Sequence, residues 1–186
     1  MPFTYVQDID DSILTFIQEN IRNPFLDIVM TILTYLGSGG LLWIIIAFIF
    51  LINKKYRYNG IMIAVALGLC LLIGNLTLKT IIARLRPSDV NTTIILLIKH
   101  PTDFSFPSGH SLSSFASATV IFYADKRYGV IAYIMASLIA FSRLYLYVHY
   151  PSDVFAGIVL GIAIGLITIF IAIKVKPRLN KFNKFI

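Results

Sequence analysis

Eight residues in this sequence have the types and spacing to hold a tetrahedral oxyanion and to carry out acid–base or nucleophilic chemistry on it: Lys79, Arg86, Ser108, Gly109, His110, Arg143, His149 and Asp153. They fall in three clusters. In "KTIIARLRP", residues 79–87, Lys79 and Arg86 stand seven positions apart. On an unbroken helix these two would point the same way, and Arg84, about 140° round the axis from Lys79, would face elsewhere. In "FPSGHS", residues 106–111, Pro107 stops a loop, and Ser108, Gly109 and His110 open an apolar segment. Unpaired N–H groups at a helix N-terminus attract anions, and glycine lets an anion come close. In "SRLYLYVHYPSD", residues 142–153, Arg143 ends one apolar run and Pro151 suits the first turn of the next. Asp153 follows His149 by four residues, within reach of the imidazole and able to fix its tautomer. The arginines would add forked donors for phosphate oxygens.

Taken alone, each cluster also has a plainer reading. Lys79 and Arg86 could snorkel from a basic helix end. Ser108 could simply start a helix, and Asp153 could answer a helix dipole. What decides between the readings is whether the elements that carry the clusters bring them together.

The chain has 186 residues, which suggests one domain over residues 1–186, and it is 58% hydrophobic with only 13% charged. That is too apolar for an ordinary soluble domain and points to an all-α, polytopic membrane helix bundle. Five or six segments are read, at about 24–37, 40–53, 60–80, 108–124, 128–147 and 153–175. The first two are short for a membrane of usual thickness, and the first could either continue the helix before it or cross with tilt and local thinning. Ahead of them, residues 8–21 form an amphipathic helix with Ile9, Ile13, Phe16, Ile17 and Ile21 on one face and Asp10, Asp11, Gln18 and Glu19 elsewhere. Its polar face is acidic, so it is expected to dock on the other helices at the interface rather than to be held by anionic lipid. Gly157, Gly161 and Gly165 make a small-residue stripe for close helix packing. The single cysteine, Cys70, excludes an intramolecular disulfide.

With six crossings, Lys54, Lys55, Arg57, Lys126, Arg127, Lys174, Lys176, Arg178, Lys181 and Lys184 fall on one side. The positive-inside rule makes that side cytoplasmic and puts both termini there. The net charge of +7 is then largely a topology signal, and no nucleic-acid partner is needed to explain it. Lys79, Arg84, Arg86, Lys99 and Arg143 fall on the opposite side, where stranded cations call for a reason. All three clusters meet there, flanking an extracytoplasmic loop at 88–107 with an apolar patch, "IILLI", at 94–98. That patch could gate lipid entry or pack on the bundle. Asp89, Asp103 and Asp153 do not cluster as a hard-cation site needs, although zinc could still be held by His100, His110 and His149.

In order, spacing and identity these clusters resemble the signature of the type 2 phosphatidic acid phosphatase superfamily, K-x6-RP, PSGH and SR-x5-H-x3-D. The matching residues are Lys79 to Arg86-Pro87, Pro107 to His110, and Ser142-Arg143 to His149 and Asp153. The resemblance implies a metal-independent hydrolase with no cofactor, embedded in the bilayer and acting on a lipid phosphate or diphosphate. It implies that His149 attacks phosphorus, that Asp153 orients it, and that His110 protonates the leaving oxygen and then activates water. Lys79, Arg86, Ser108, Gly109 and Arg143 would cradle the phosphate. Similar small bacterial chains act on undecaprenyl diphosphate or phosphatidylglycerophosphate; the outward-facing site favours the first, and phosphatidic acid is a further alternative. A non-catalytic lipid-phosphate transporter or binding protein is the alternative of another class.

Overall fold

The computed structural model describes residues 2–182, with side chains described for residues 5–175. Lys176, Arg178, Lys181 and Lys184, counted above in the topology, lie outside the described side chains. Helix α1 (Pro2–Phe16) runs into a wider π turn, Ile17–Ile21. Helix α2 (Pro24–Gly37) starts on Pro24 and is capped by the Asn23 side chain, which accepts from the Leu26 N–H at 3.0 Å. Gly39 and Gly40 take positive φ, 59° and 73°, and break the path before α3 (Leu41–Ile52). Helix α4 (Arg57–Leu69), a π-helical stretch (Cys70–Leu78) and the single turn α5 (Lys79–Ile82) follow as one rod, and then the short α6 (Pro87–Val90). The bundle closes with α7 (Gly109–Ala124), α8 (Lys126–Tyr145) and α9 (Pro151–Phe182).

Helices α2 and α3 follow one path along the bundle, so the first two of the five or six segments read from sequence join into a single candidate span. Asn23 N–H donates to the Tyr145 hydroxyl at the end of α8. Further along, His110 Nε2 donates to Thr34 O, Trp43 donates to Ser114 in α7, and Tyr56 donates to Asp125, between α7 and α8. The contacts therefore descend from one end of the bundle to the other without turning back. Two positive-φ glycines redirect a helix; they need not reverse it. Residues 24–52 and 57–90, with 126–145 and 151–175, are long and apolar enough to span. Helix α7, at 16 residues, is about 24 Å long. With α7 counted, five paths join the two ends of the bundle. Helix α1 docks at the end that holds Arg84 and Ser152, and the described part of α9 leads away from that end.

Helix α7 is the inner strut, buried almost throughout from Ser111 to Ile121. The glycine stripe of α9 lies on it. A Cβ added at Gly157 would sit 2.7 Å from Ser108 O, and at Gly161 2.5 Å from Leu112 O. Outward faces carry Phe48, Leu72, Ile134, Ile167 and Phe170, exposed as lipid-facing side chains are. Helix α1 departs from expectation. Its docked face is Asp10, Leu14 and Ile17, all buried, while Ile9, Ile13 and Phe16 point outward. The apolar patch in the loop also packs on the bundle: Leu96, Leu97 and Ile98 rest beside Tyr145, Leu146 and Val148, leaving Ile95 exposed.

Candidate active site

The first cluster is positioned by a break, not by a continuous helix. Ala83 adopts left-handed backbone (φ 47°) and ends α5, after which the chain runs extended through Arg86. Lys79 and Arg86 still converge, but because the backbone turns between them. The same turn swings Arg84 behind the site, where it reaches Asp153 Oδ1 at 2.7 Å. On an unbroken helix it would have faced elsewhere.

A cavity of about 810 Å³ receives Lys79, Arg86, Gly109, His110, Arg143 and His149, drawn from all three clusters. Arg86 is 2% exposed and donates from Nε to Asp103 O, from Nη2 to Asp103 Oδ1 at 2.6 Å, and from Nη1 to Val148 O at 2.5 Å. Lys79 pairs with the other Asp103 oxygen. Arg143 is buried and donates to Thr34 Oγ1, yet its Nε has no partner among the described residues. A buried guanidinium N–H left open beside a cavity is a donor waiting for an anion.

His149 lies in the tight turn between α8 and α9 and is 1% exposed. Arg86 Nη1 is 3.1 Å from His149 Nε2, and because a guanidinium only donates, Nε2 is the bare nitrogen. The proton then sits on Nδ1. The expected direct bond to Asp153 is not formed: Nδ1 and Oδ2 are 3.8 Å apart. Ser105 Oγ stands between them, 3.4 Å from Nδ1 and donating to Asp153 Oδ2 at 2.5 Å. Asp153 is held further by the Tyr150 N–H at 2.9 Å. Sequence reasoning missed Ser105, whose partners lie 44 and 48 residues away.

His110 donates from Nε2 to Thr34 O at 3.2 Å, with Ser38 Oγ 3.4 Å away. Gly37 makes room for it, since a Cβ there would be 2.8 Å from the ring. Ser108 is fully buried and does not line the cavity; its hydroxyl caps α7 through Ser111 N–H and Oγ. Its side chain is thus engaged at the start of α7, behind the cavity wall. Gly109 does line the cavity, beside Asn75.

Electrostatics follow from this crowding. Burial, then Arg86, Arg143 and Lys79, push the His149 pKa well below the ordinary imidazole range, so the ring is neutral at pH 7. Partial burial would raise the Asp103 pKa, but Lys79 and Arg86 outweigh it and hold the carboxylate at about 2. Among the described residues no three His, Cys, Asp or Glu side chains gather as a metal site would require. What the arrangement offers is a neutral imidazole with its lone pair on Nε2, a second imidazole across the cavity, and three cations around an open pocket. That set suits attack on phosphorus with charge neutralised by side chains.

The cavity continues away from this polar end. Tyr35, Gly39, Ile44, Ala64, Leu67, Gly68 and Leu71 extend its lining between α2–α3 and α4, and Tyr35, Ile44 and Leu71 are exposed on the outer surface. The pocket therefore opens sideways, through an apolar groove.

Residues 58–176 match the model of the PAP2 superfamily. An undecaprenyl-diphosphatase of Sulfolobus acidocaldarius is 34% identical over 128 residues, 68% of this chain, and the match spans 62% of that relative's length. Phosphatidylglycerophosphatase B of Bacillus subtilis is 32% identical over 177 residues, covering 88% of this chain and 82% of the relative. The crystal structure of a transmembrane PAP2-type phosphatidylglycerolphosphate phosphatase from Bacillus subtilis superposes with a TM-score of 0.76 at 30% identity, over 92% of this chain and 88% of that one.

Proposed function

The chain belongs to the PAP2 superfamily of membrane phosphatases, and from that premise we propose that it hydrolyses a lipid diphosphate, with undecaprenyl diphosphate the best fit, at the extracytoplasmic face. The observation that carries this reading is the shape of one cavity. Its polar end gathers His110, His149, Lys79, Arg86 and Arg143, and its other end is an apolar groove open to the side of the bundle. A phosphate headgroup fits the first and a hydrocarbon tail the second.

In this reading His149 Nε2 attacks phosphorus, the P–O bond to the leaving group breaks, and a phosphohistidine forms. Asp153, through Ser105, holds the Nδ1 proton and steadies the developing imidazolium. His110, as an imidazolium that carries a second proton besides the one it donates to Thr34 O, gives that second proton to the leaving oxygen. It then takes one from the water that attacks the phosphohistidine and releases phosphate. Lys79, Arg86 and Arg143 take up the phosphoryl charge, with the Gly109 N–H at the start of α7. The extracytoplasmic setting draws on Lys54, Lys55, Arg57, Lys126 and Arg127, which lie at the end of the bundle away from the cavity.

Lys99 favours a diphosphate over a monoester. It lines the mouth of the cavity with no carboxylate paired to it among the described residues, whereas His100 beside it is 2.9 Å from Asp89. Four lining cations face one carboxylate, Asp103, and the surplus suits a second phosphate. Phosphatidylglycerophosphate or phosphatidic acid hydrolysis is the second reading, favoured by the greater length of chain matched to the Bacillus subtilis phosphatases.

The test is phosphate release by the purified chain from a panel of lipid phosphates and diphosphates in detergent. Prenyl diphosphate is expected to be the best substrate, with turnover kept in the presence of a chelator. Lys99→Gln should lower kcat/KM for the diphosphate about tenfold and leave the monophosphate within about twofold. Equal effects on both would remove the preference for a diphosphate. Binding of lipid phosphate with no release by the wild type would favour a non-catalytic carrier instead.

A further inference from the structure

We propose that Asp10 and Arg84 form a strut that makes helix α1 a positioning element for the carboxylate Asp153. Asp10 is 2% exposed, an unusual place for a carboxylate on an amphipathic helix. Its Oδ1 accepts the Ser152 N–H at 2.8 Å, and its Oδ2 accepts Ser152 Oγ at 2.5 Å and Arg84 Nη2 at 2.8 Å. Arg84 spreads its other donors to Asp153 Oδ1 at 2.7 Å, Ser152 Oγ at 2.7 Å and Gln7 Oε1 at 2.8 Å. Its guanidinium also lies 4.0 Å over the Tyr150 ring.

The planar fork explains why an arginine stands here. One guanidinium edge meets Asp10 and the other meets Asp153, so the position of α1 is written directly into the orientation of Asp153. Asp153 has only two oxygens. Oδ1 is taken by Arg84, which leaves Oδ2 aimed at Ser105 and, beyond it, the His149 ring. Without Asp10, Arg84 loses its charged anchor on α1, and the hold of Arg84 on Asp153 Oδ1 loosens while Ser105 and the Tyr150 N–H still grip Oδ2. Neither Asp10 nor Arg84 lines the cavity, so the effect must reach the reaction through Asp153.

The inference rests on the phosphatase reading above, and the experiment separates the two. Asp10→Asn and Arg84→Lys are purified alongside wild type, and phosphate release from a lipid phosphate is measured with the thermal midpoint in the same detergent. A positioning role predicts that Asp10→Asn lowers kcat about tenfold or more with KM within about twofold, because the cations that grip phosphate are untouched. Arg84→Lys, which cannot bridge both carboxylates, should lose a similar factor, and the double variant should be little worse than the poorer single. If Asp10→Asn does not fold, Arg84→Lys and Ser152→Ala are read in its place by the same criteria. Wild-type kcat in these variants, or a loss no larger than the fall in folded fraction, would overturn the strut. No phosphate release by wild type from any lipid phosphate would instead overturn the functional reading on which it rests.

Discussion

Among single side chains, His149 and its neighbours carry the sharpest expectations. His149→Ala should lower kcat by at least about a thousandfold while lipid phosphate still binds, read as phosphate release against binding in the same detergent. Ser105→Ala should cost about tenfold, since it removes the hydroxyl between Asp153 and the ring. The pH dependence has a definite sign. A depressed pKa keeps His149 neutral down through the ordinary imidazole range, so the acid limb of kcat/KM should fall below pH 6.5. An acid limb at or above that value would contradict a neutral resting nucleophile. The identities of His110, Arg143 and His149 were legible in the sequence because motif spacing fixes residue types. Ser105 and Asp10 were not, since a loop serine and a helix aspartate read as solvated until their distant partners are known.

The elements teach a different lesson. A break at Ala83 is invisible in sequence, because alanine is the best of helix formers and only tertiary contacts force it to positive φ. The α2–α3 path stayed open in sequence for a related reason: "GSGG" signals a turn, but not how far the chain turns. The glycine stripe of α9, by contrast, was correctly read as a packing face, since its spacing needs no partner to be recognised. Gly161→Ala would press a methyl group to 2.5 Å from Leu112 O and should destabilise the bundle by about 1–3 kcal/mol, seen as a lower thermal midpoint. Gly68→Ala, with nothing within 4 Å of its new Cβ, should leave the midpoint unchanged or raise it slightly. If the two variants melt alike, the close approach of α7 and α9 is not what holds them together.

At the scale of the whole molecule, an odd number of crossings predicts that a tag before α1 and a label near Asp125 report from opposite faces of intact cells or spheroplasts. Labelling of both from one face would restore an even count. The fold class was legible from composition alone, because nothing but a lipid environment tolerates so many outward apolar side chains. The sideways groove was not, because its lining comes from α2, α3 and α4 together. Gly68→Phe should fill that groove and slow hydrolysis of a long-chain lipid at least about tenfold, while a short water-soluble phosphate is turned over as before. An opening in the side of the bundle also changes what concentration means for this protein. Substrate arrives by diffusing within a two-dimensional phase, so the rate should follow its mole fraction in the micelle or bilayer. Adding empty detergent at constant total lipid should slow the reaction by surface dilution, and diluting the whole sample should not.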